Sequence, residues 1–335
     1  MIAARRPLPY PAVLAALAAL AIGLTVASAV IGYAHLDVGE ALRDLLRGEP
    51  SLGALVLYEL RLPRALLGLA VGFSLGVAGA AMQGLLRNPL AEPGIVGISG
   101  SAALGAVVVF YSGLAGASAL ALPLGGIAGA AAATLVLFGL AGRGAGTTTL
   151  ILAGVAINAF AGAATSLALN LSPNPYAALE IVFWLMGSLA DRSMPHVALV
   201  LPLMALGWVL LLLSGPALDA LTLGEDTAAS LGFGLGRLRV QLIAGAALAV
   251  GSAVAVTGSI GFVGLVVPHL LRRLVGGRPG RLLLPSALGG GILTLAADLG
   301  VRLIGVRPEL KLGVVTAIVG APFLFHLIWR LRRSA

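Results

Sequence analysis

The stretch PGIVGISGSAALGAVVVFYSGLAGASALALPLGGIAGAAAATLVLFGLAG, residues 93–142, lies between Glu92 and Arg143 and carries no charged side chain over 50 residues. Crossing a bilayer takes ~20 predominantly apolar residues, so this run holds two helices. The turn between them is expected near Ser112–Gly126, where Gly, Ser and Pro123 cluster. The rest of the chain has the same character. Of 335 residues, 59% are hydrophobic and 10% charged, and the mean hydropathy is +1.05; a soluble domain carries roughly 25% charged residues. Backbone groups in lipid are satisfied only in helices or a closed barrel. Barrel strands alternate over ~10 residues, far shorter than these runs, so the fold class is an all-α polytopic membrane protein.

Outward from that stretch, Tyr10–Tyr33 supplies a first span, followed by a charged extracytoplasmic segment over 34–61, which includes His35. Arg5 and Arg6 ahead of an apolar run, with Ala27-Ser28-Ala29, resemble a signal peptide. The run is longer than such a leader needs, and an uncleaved first span is expected. Further spans are read at Ala65–Leu86, in Gly144–Leu179 ahead of the turn Ser172-Pro173-Asn174-Pro175, and at Ser193–Leu218. Val240–Leu271 holds one long span and the start of a second, and Leu282–Ala297 and Leu312–Trp329 complete ten. The whole of 1–335 is then one membrane domain.

Basic residues orient the spans. With both termini cytoplasmic, the inner segments carry Arg5, Arg6, Arg87, Arg143, Arg237, Arg239, Arg272, Arg273, Arg278, Arg281, Arg330, Arg332 and Arg333 against Glu92, Asp219, Glu225 and Asp226. The outer segments hold 8 basic and 9 acidic residues, so the positive excess lies inside. The basic residues are scattered between apolar spans and form no nucleic-acid face.

Two patterns concern packing. Gly68, Gly72, Gly76, Ala80 and Gly84 recur every fourth residue, which lets helix backbones approach closely, most simply inside the bundle. Gly94-Ile95-Val96-Gly97 and Gly261-Phe262-Val263-Gly264 echo each other at the entries to the third and eighth spans, which fits a five-plus-five inverted repeat.

Energy is expected from another chain. A phosphate-binding P-loop needs a lysine, and the one lysine, Lys311, sits in Glu309-Leu-Lys-Leu-Gly313. Ion-coupled carriers bury ionisable groups along their path; Asp298 has Arg302 four residues on, where a helical pair is the simpler account. His269 and His326 near span ends read as packing or interface residues. No cysteine is present, which excludes disulfides and thiol chemistry. The region 217–237 between the sixth and seventh spans is too long for a turn. Glu225 and Asp226 suit a helix start, Ala228 and Leu231 share a face spacing, and Gly232 suits a C-cap, which predicts a short cytoplasmic surface helix.

Several motifs then stand together in order: Arg61-Leu-Pro-Arg64, Gln83-Gly-Leu-Leu-Arg-Asn88-Pro89-Leu90-Ala91-Glu-Pro93-Gly94, Leu152-Ala-Gly154-Val155, and Trp184-Leu-Met-Gly187-Ser188-Leu189. Leu223-Gly224-Glu225 through Leu231-Gly232, Gly261-Phe-Val-Gly264-Leu-Val-Val-Pro268-His269, Glu309-Leu-Lys-Leu-Gly313-Val-Val-Thr316 and Gly320-Ala-Pro322-Phe323 follow. From about Leu60 to Arg330 the chain resembles permease subunits of binding-protein-dependent ABC importers for iron-siderophore complexes, haem and cobalamin. The resemblance implies a homodimer in the bacterial cytoplasmic (inner) membrane, two separate ATPase subunits that hold the ATP and Mg, an extracytoplasmic substrate-binding protein, and no cofactor or catalytic residue in this chain. It implies ATPase coupling by Leu221, Leu223, Gly224, Glu225, Asp226, Ala228, Leu231 and Gly232. It places a cytoplasmic gate at Asn88, Leu90, Thr147 and Thr148, and binding-protein docking at Arg61, Arg64 and Arg302, outside, where exposed arginines suit carboxylate pairing. Lys311 departs from the proline common in that family and implies a less rigid outer turn. The competing class is an ion-coupled secondary transporter.

Overall fold

The glycine stripe of the second span lies on a helix longer than the span itself. The computed structural model describes residues 9–33, 36–141, 146–172, 175–306 and 308–334. Arg5, Arg6, His35, Arg143, Gly144, Pro173 and Asn174 lie outside the described residues, as do the side chains of Arg330, Arg332 and Arg333. In chain order the helices are α1 (Tyr10–Val30), α2 (Val38–Arg47), α3 (Leu52–Val56), α4 (Leu62–Leu85), α5 (Ile98–Tyr111), α6 (Ala121–Ala141), α7 (Thr147–Asn170) and α8 (Pro175–Leu185). There follow α9 (Met194–Leu212), α10 (Gly215–Leu221), α11 (Glu225–Ser230), α12 (Leu235–Ala246), α13 (Ser252–Thr257), α14 (Val263–Leu271), α15 (Pro279–Ile304) and α16 (Leu312–Ser334). Single π-helical turns, Leu57–Arg61 and Ala247–Gly251, fuse α3 to α4 and α12 to α13 into continuous rods. The protein is an all-helical polytopic membrane protein. Among the described residues seven helices are long and apolar enough to cross a membrane, and Ile98–Tyr111, Pro175–Leu185 and Leu312–Leu327 are shorter apolar helices.

Three sequence boundaries are corrected. The segment read as surface over 34–61 is only partly so: α2 is a capped amphipathic helix, with Asp37 accepting from the Glu40 N–H and Gly48 closing it in the left-handed region, but residues from Leu52 onward already belong to the Leu52–Leu85 rod. The seventh span begins at Leu235, before Val240, so the end of the 217–237 region is membrane helix. The eighth is not a full helix. Nine residues of α14 rise about 13 Å, less than half of the ~30 Å hydrocarbon core. Its lead-in Gly258–Phe262 is non-helical, and a Cβ built on Gly320, well inside α16, would meet Phe262 Cβ at 2.3 Å. The entry to α14 is therefore packed against another helix, a setting in which irregular backbone survives at membrane depth.

The expected close approach is found within the bundle, between α4 and α15. A Cβ on Gly72 would lie 2.3 Å from the Gly290 carbonyl oxygen, and one on Gly76 would lie 2.0 Å from that of Ser286. A third glycine off the stripe, Gly79, meets the Gly264 carbonyl at 2.0 Å. The backbones of α15 and α14 thus rest directly on α4, and almost all of α4 is buried. A polar tie adds to this: the Trp208 indole of α9 donates to Ser74 Oγ at 2.8 Å.

Gly72→Val or Gly76→Val must push α15 backbone aside, so each should destabilise the chain by at least about 1–3 kcal/mol. Gly139→Val, where nothing lies within 4 Å of the built Cβ, should change little. Thermal melts of the detergent-solubilised chain check this; equal melting of all three variants would remove the backbone contact as the reason for the stripe.

Candidate functional site

At one end of the bundle the chain makes a small outcropping. Leu221 closes α10 buried, Thr222 to Gly224 turn, and α11 runs six residues. Its end is the expected glycine cap: Gly232 has φ +89°, the Phe233 N–H donates to the Ala228 carbonyl at 3.1 Å and the Gly232 N–H to that of Ala229 at 2.9 Å. That pair of bonds satisfies the last carbonyls of the helix. Ala228 is fully buried, whereas Leu223 and Leu231 are exposed. The shared face expected for Ala228 and Leu231 is therefore wrong, because the helix ends at Ser230 and the cap turns Leu231 outward.

The Glu225 carboxylate accepts from Arg239 Nη2 of α12, 3.0 Å to each oxygen, and the Thr147 hydroxyl donates to it at 3.4 Å. The structure thus joins one residue of the expected gate to the expected coupling segment. Thr148 is exposed beside it. Asn88 and Leu90 form a separate turn, in which Asn88 Oδ1 accepts the Leu90 N–H at 2.9 Å. The chain after it, Pro93–Val96, packs on α7, where a Cβ on Gly154 would meet Ile95 O at 2.4 Å.

Two long-range polar ties at the ends of α14 had no signal in the sequence. The Phe262 N–H, with Phe262 in the left-handed region at φ +67°, donates to Glu92 Oε1 at 3.1 Å. At the other end Arg272 Nη2 donates to Gln83 Oε1 at 2.8 Å, and Gln83 Nε2 donates to the Leu265 carbonyl at 3.3 Å. Glu92 and Gln83 bracket the loop that carries Asn88 and Leu90, so that loop and α14 are held as one unit. His269 stacks edge-on to Phe323 with ring centroids 5.7 Å apart, which is the packing role expected of it.

At the opposite end, Arg61, Arg64 and Arg302 are brought together around a cavity of about 280 Å³ that Arg192, Asp191 and Glu309 also line. They are not exposed as expected. Arg61 and Arg302 are each 6% exposed. Arg61 donates to the Val30 carbonyl, and Arg302 donates to Ser28 O at 2.9 Å and Ile31 O at 2.6 Å. The reason is that α1 ends over them, so its free terminal carbonyls take guanidinium donors. The Asp298–Arg302 pair on α15 is present at 2.9 Å. Asp298 also binds Arg64 Nη2 at 2.8 Å, and Arg64 pairs with Glu309 as well. Two carboxylates thus neutralise two buried guanidiniums, and the network ties α1, α4, α15 and the turn before α16. Lys311 Nζ lies 5.7 Å from the Phe183 ring centroid.

Comparison with known proteins follows the same lines. Residues 19–330 match the model of the FecCD transport family. The chain is 42% identical over 318 residues to the vitamin B12 import system permease protein BtuC of Vibrio cholerae, covering 94% of this chain and 93% of that protein. It is 39% identical to the hemin transport system permease protein HmuU of Yersinia pestis (82% and 84% covered), and 36% identical to the Fe(3+)-citrate import system permease protein YfmE of Bacillus subtilis (93% of each). A solved structure described as an inward-facing conformation of a metal-chelate type ABC transporter superimposes with a TM-score of 0.83 at 30% identity, over 96% of this chain and 99% of that one.

Asp298→Asn leaves two buried guanidiniums short of a counter-charge, and should cost about 3–5 kcal/mol. Glu309→Gln, at the edge of the network, should cost less. Denaturant or thermal unfolding in detergent measures both; a neutral Asp298→Asn would show that the network does not carry the outer end of the fold.

Proposed function

The chain belongs to the FecCD transport family, and on that footing we propose that it forms the path by which an ATP-driven importer moves a metal chelate across the inner membrane. It is a multi-pass permease of the ABC importer type and not itself the ATPase. The cargo proposed is an iron(III) chelate (siderophore- or citrate-bound), haem or a corrinoid, because the relatives named for vitamin B12, hemin and Fe(3+)-citrate all handle ring- or chelate-held metals. In this reading two copies of the chain line the path, two ATPase subunits sit at the cytoplasmic end and a binding protein docks outside.

Ten crossings with both termini cytoplasmic follow if α14 and its extended lead-in together make the eighth and α8 does not cross. The five-plus-five repeat is supported by the two broken entries. α5 begins after Gly97 in the left-handed region and α14 after Phe262 likewise, and Pro93 Cδ would lie 3.0 Å from a Cβ on Gly264. Exposed Asn158 in α7 supports a path against that helix, since a polar side chain turned to lipid is costly.

The observation that carries the ATP-driven reading is the α10–α11 outcropping. It is anchored by buried Leu221 and Ala228, it presents exposed Leu223 and Leu231 to a partner, and its Glu225 touches Thr147 at the start of α7. A push on α11 would then reach the proposed gate through one carboxylate. Docking of the binding protein is assigned to Arg61, Arg64 and Arg302 at the outer cavity, where the partner's acids would join or replace Glu309. That attraction should weaken as salt rises.

Uptake by the reconstituted complex should require ATP and ignore a protonophore; ionophore-sensitive uptake without ATP would make this an ion-coupled carrier. Glu225→Arg should lower transport-linked ATP hydrolysis by about tenfold, the scale of a 1.4 kcal/mol loss, with the complex still assembling. Unchanged hydrolysis and uptake would remove Glu225 from the coupling route.

A further inference from the structure

The end of the bundle that bears α11 holds a second, smaller polar feature unused by the proposed function. A cavity of about 250 Å³ is lined by Gln83, Gly84, Arg87, Pro89, Thr222, Arg272, Gly277 and Pro279. No carboxylate is among these residues, although two guanidiniums are. Arg87 is exposed and forms no ion pair or side-chain hydrogen bond among the described residues. It also occupies the left-handed region at φ +48°, just past the end of α4. Glycine or asparagine takes such a position at little cost, so a long cation there is retained against backbone preference. Arg272 spends Nη2 on Gln83, while its Nε is buried with no hydrogen-bond partner. A buried donor left unmade is costly, and calls for an acceptor.

The surrounding groups sharpen the chemistry. Asp219 caps the start of α15 beside the cavity, its Oδ1 accepting the Gly280 N–H at 2.8 Å. The Thr222 hydroxyl donates to the Asp219 carbonyl. The charged side chains that line the cavity itself are both guanidiniums, Arg87 and Arg272. Guanidinium pairs match the oxygens of phosphate, and basic pockets between helices at the cytoplasmic side of a membrane take lipid headgroups.

We propose that the cavity between Arg87 and Arg272 binds a phosphate group, from the headgroup of an anionic phospholipid or from free phosphate. The ligand would bridge the loop leading to Asn88, the end of α14 and Thr222 beside the coupling segment. Its position at the inner leaflet rests on the orientation proposed above, but binding itself does not, so it is tested without ATPase or cargo.

The full-length chain, purified in neutral detergent and stripped of lipid, is offered equal phosphatidylglycerol and phosphatidylcholine and read by native mass spectrometry. Separately, its thermal melting is followed with inorganic phosphate against chloride at matched ionic strength. Arg87→Gln serves as the variant, because Arg87 makes no internal bond to lose on folding; Arg272→Gln is the second. A preference of about tenfold for phosphatidylglycerol, lost in Arg87→Gln and not displaced by inorganic phosphate, assigns the site to lipid. A phosphate-specific rise in melting temperature that Arg87→Gln abolishes, with displacement of phosphatidylglycerol, assigns it to free phosphate. Equal retention of both lipids with no phosphate effect, or a preference unchanged in both variants, overturns the proposal.

Discussion

The arrangement depends on one steric constraint: α15 rests on α4 with carbonyl oxygens where side chains would otherwise stand. Gly72 and Gly290 face each other so closely that a Cβ on Gly290 would be 2.0 Å from the Gly72 carbonyl oxygen. Lipid provides no hydrophobic drive for helices to associate, so the attraction has to come from many short backbone contacts. Once α4 and α15 are fixed, Arg64 on one and Asp298 and Arg302 on the other are opposed at one end. At the other end Gln83 is set beside α14 and Asp219 beside the start of α15.

Among the described residues the ion pairs thereby lie at the two ends. At the outer end buried arginines are paired with Asp298 and Glu309 and donate to the last carbonyls of α1. At the other end the contacts are weaker and more open: Glu225 is shared between Arg239 and Thr147, and hydrophobic side chains of the outcropping stay uncovered. A dense ionic cluster resists motion, whereas a half-exposed carboxylate with two partners can change partner at small cost. That contrast suits a permease that must change shape where energy enters and hold firm where its arginines are gathered.

Much of this was legible from local pattern. The glycine period of α4 predicted close packing within the bundle, Gly232 predicted the cap of α11, and Asp298 with Arg302 predicted a helical pair. All three depend on residues within one or two turns of each other or on one helix face, where spacing alone decides proximity. The exposure of Arg61 and Arg302 and the face shared by Ala228 and Leu231 were misread, for a common reason. Each turns on what covers the residue, and the covering element, such as the end of α1 over Arg302, lies as far as 274 positions away in the chain.

Taken by itself, the amino-acid sequence determined that this is a helical membrane protein without its own ATP site. Long uncharged runs leave the backbone no other way to satisfy its hydrogen bonds in lipid, and a P-loop has a fixed local form that is not present. Its family membership follows equally from ordered motifs and is matched over residues 19–330. Only the tertiary structure decided that the eighth span is a nine-residue helix with a non-helical entry, that Glu92 and Gln83 hold it, and that two arginines converge on a cavity without an acid. Irregular backbone at membrane depth is permitted only by what surrounds it, and those surroundings are assembled from distant parts of the chain.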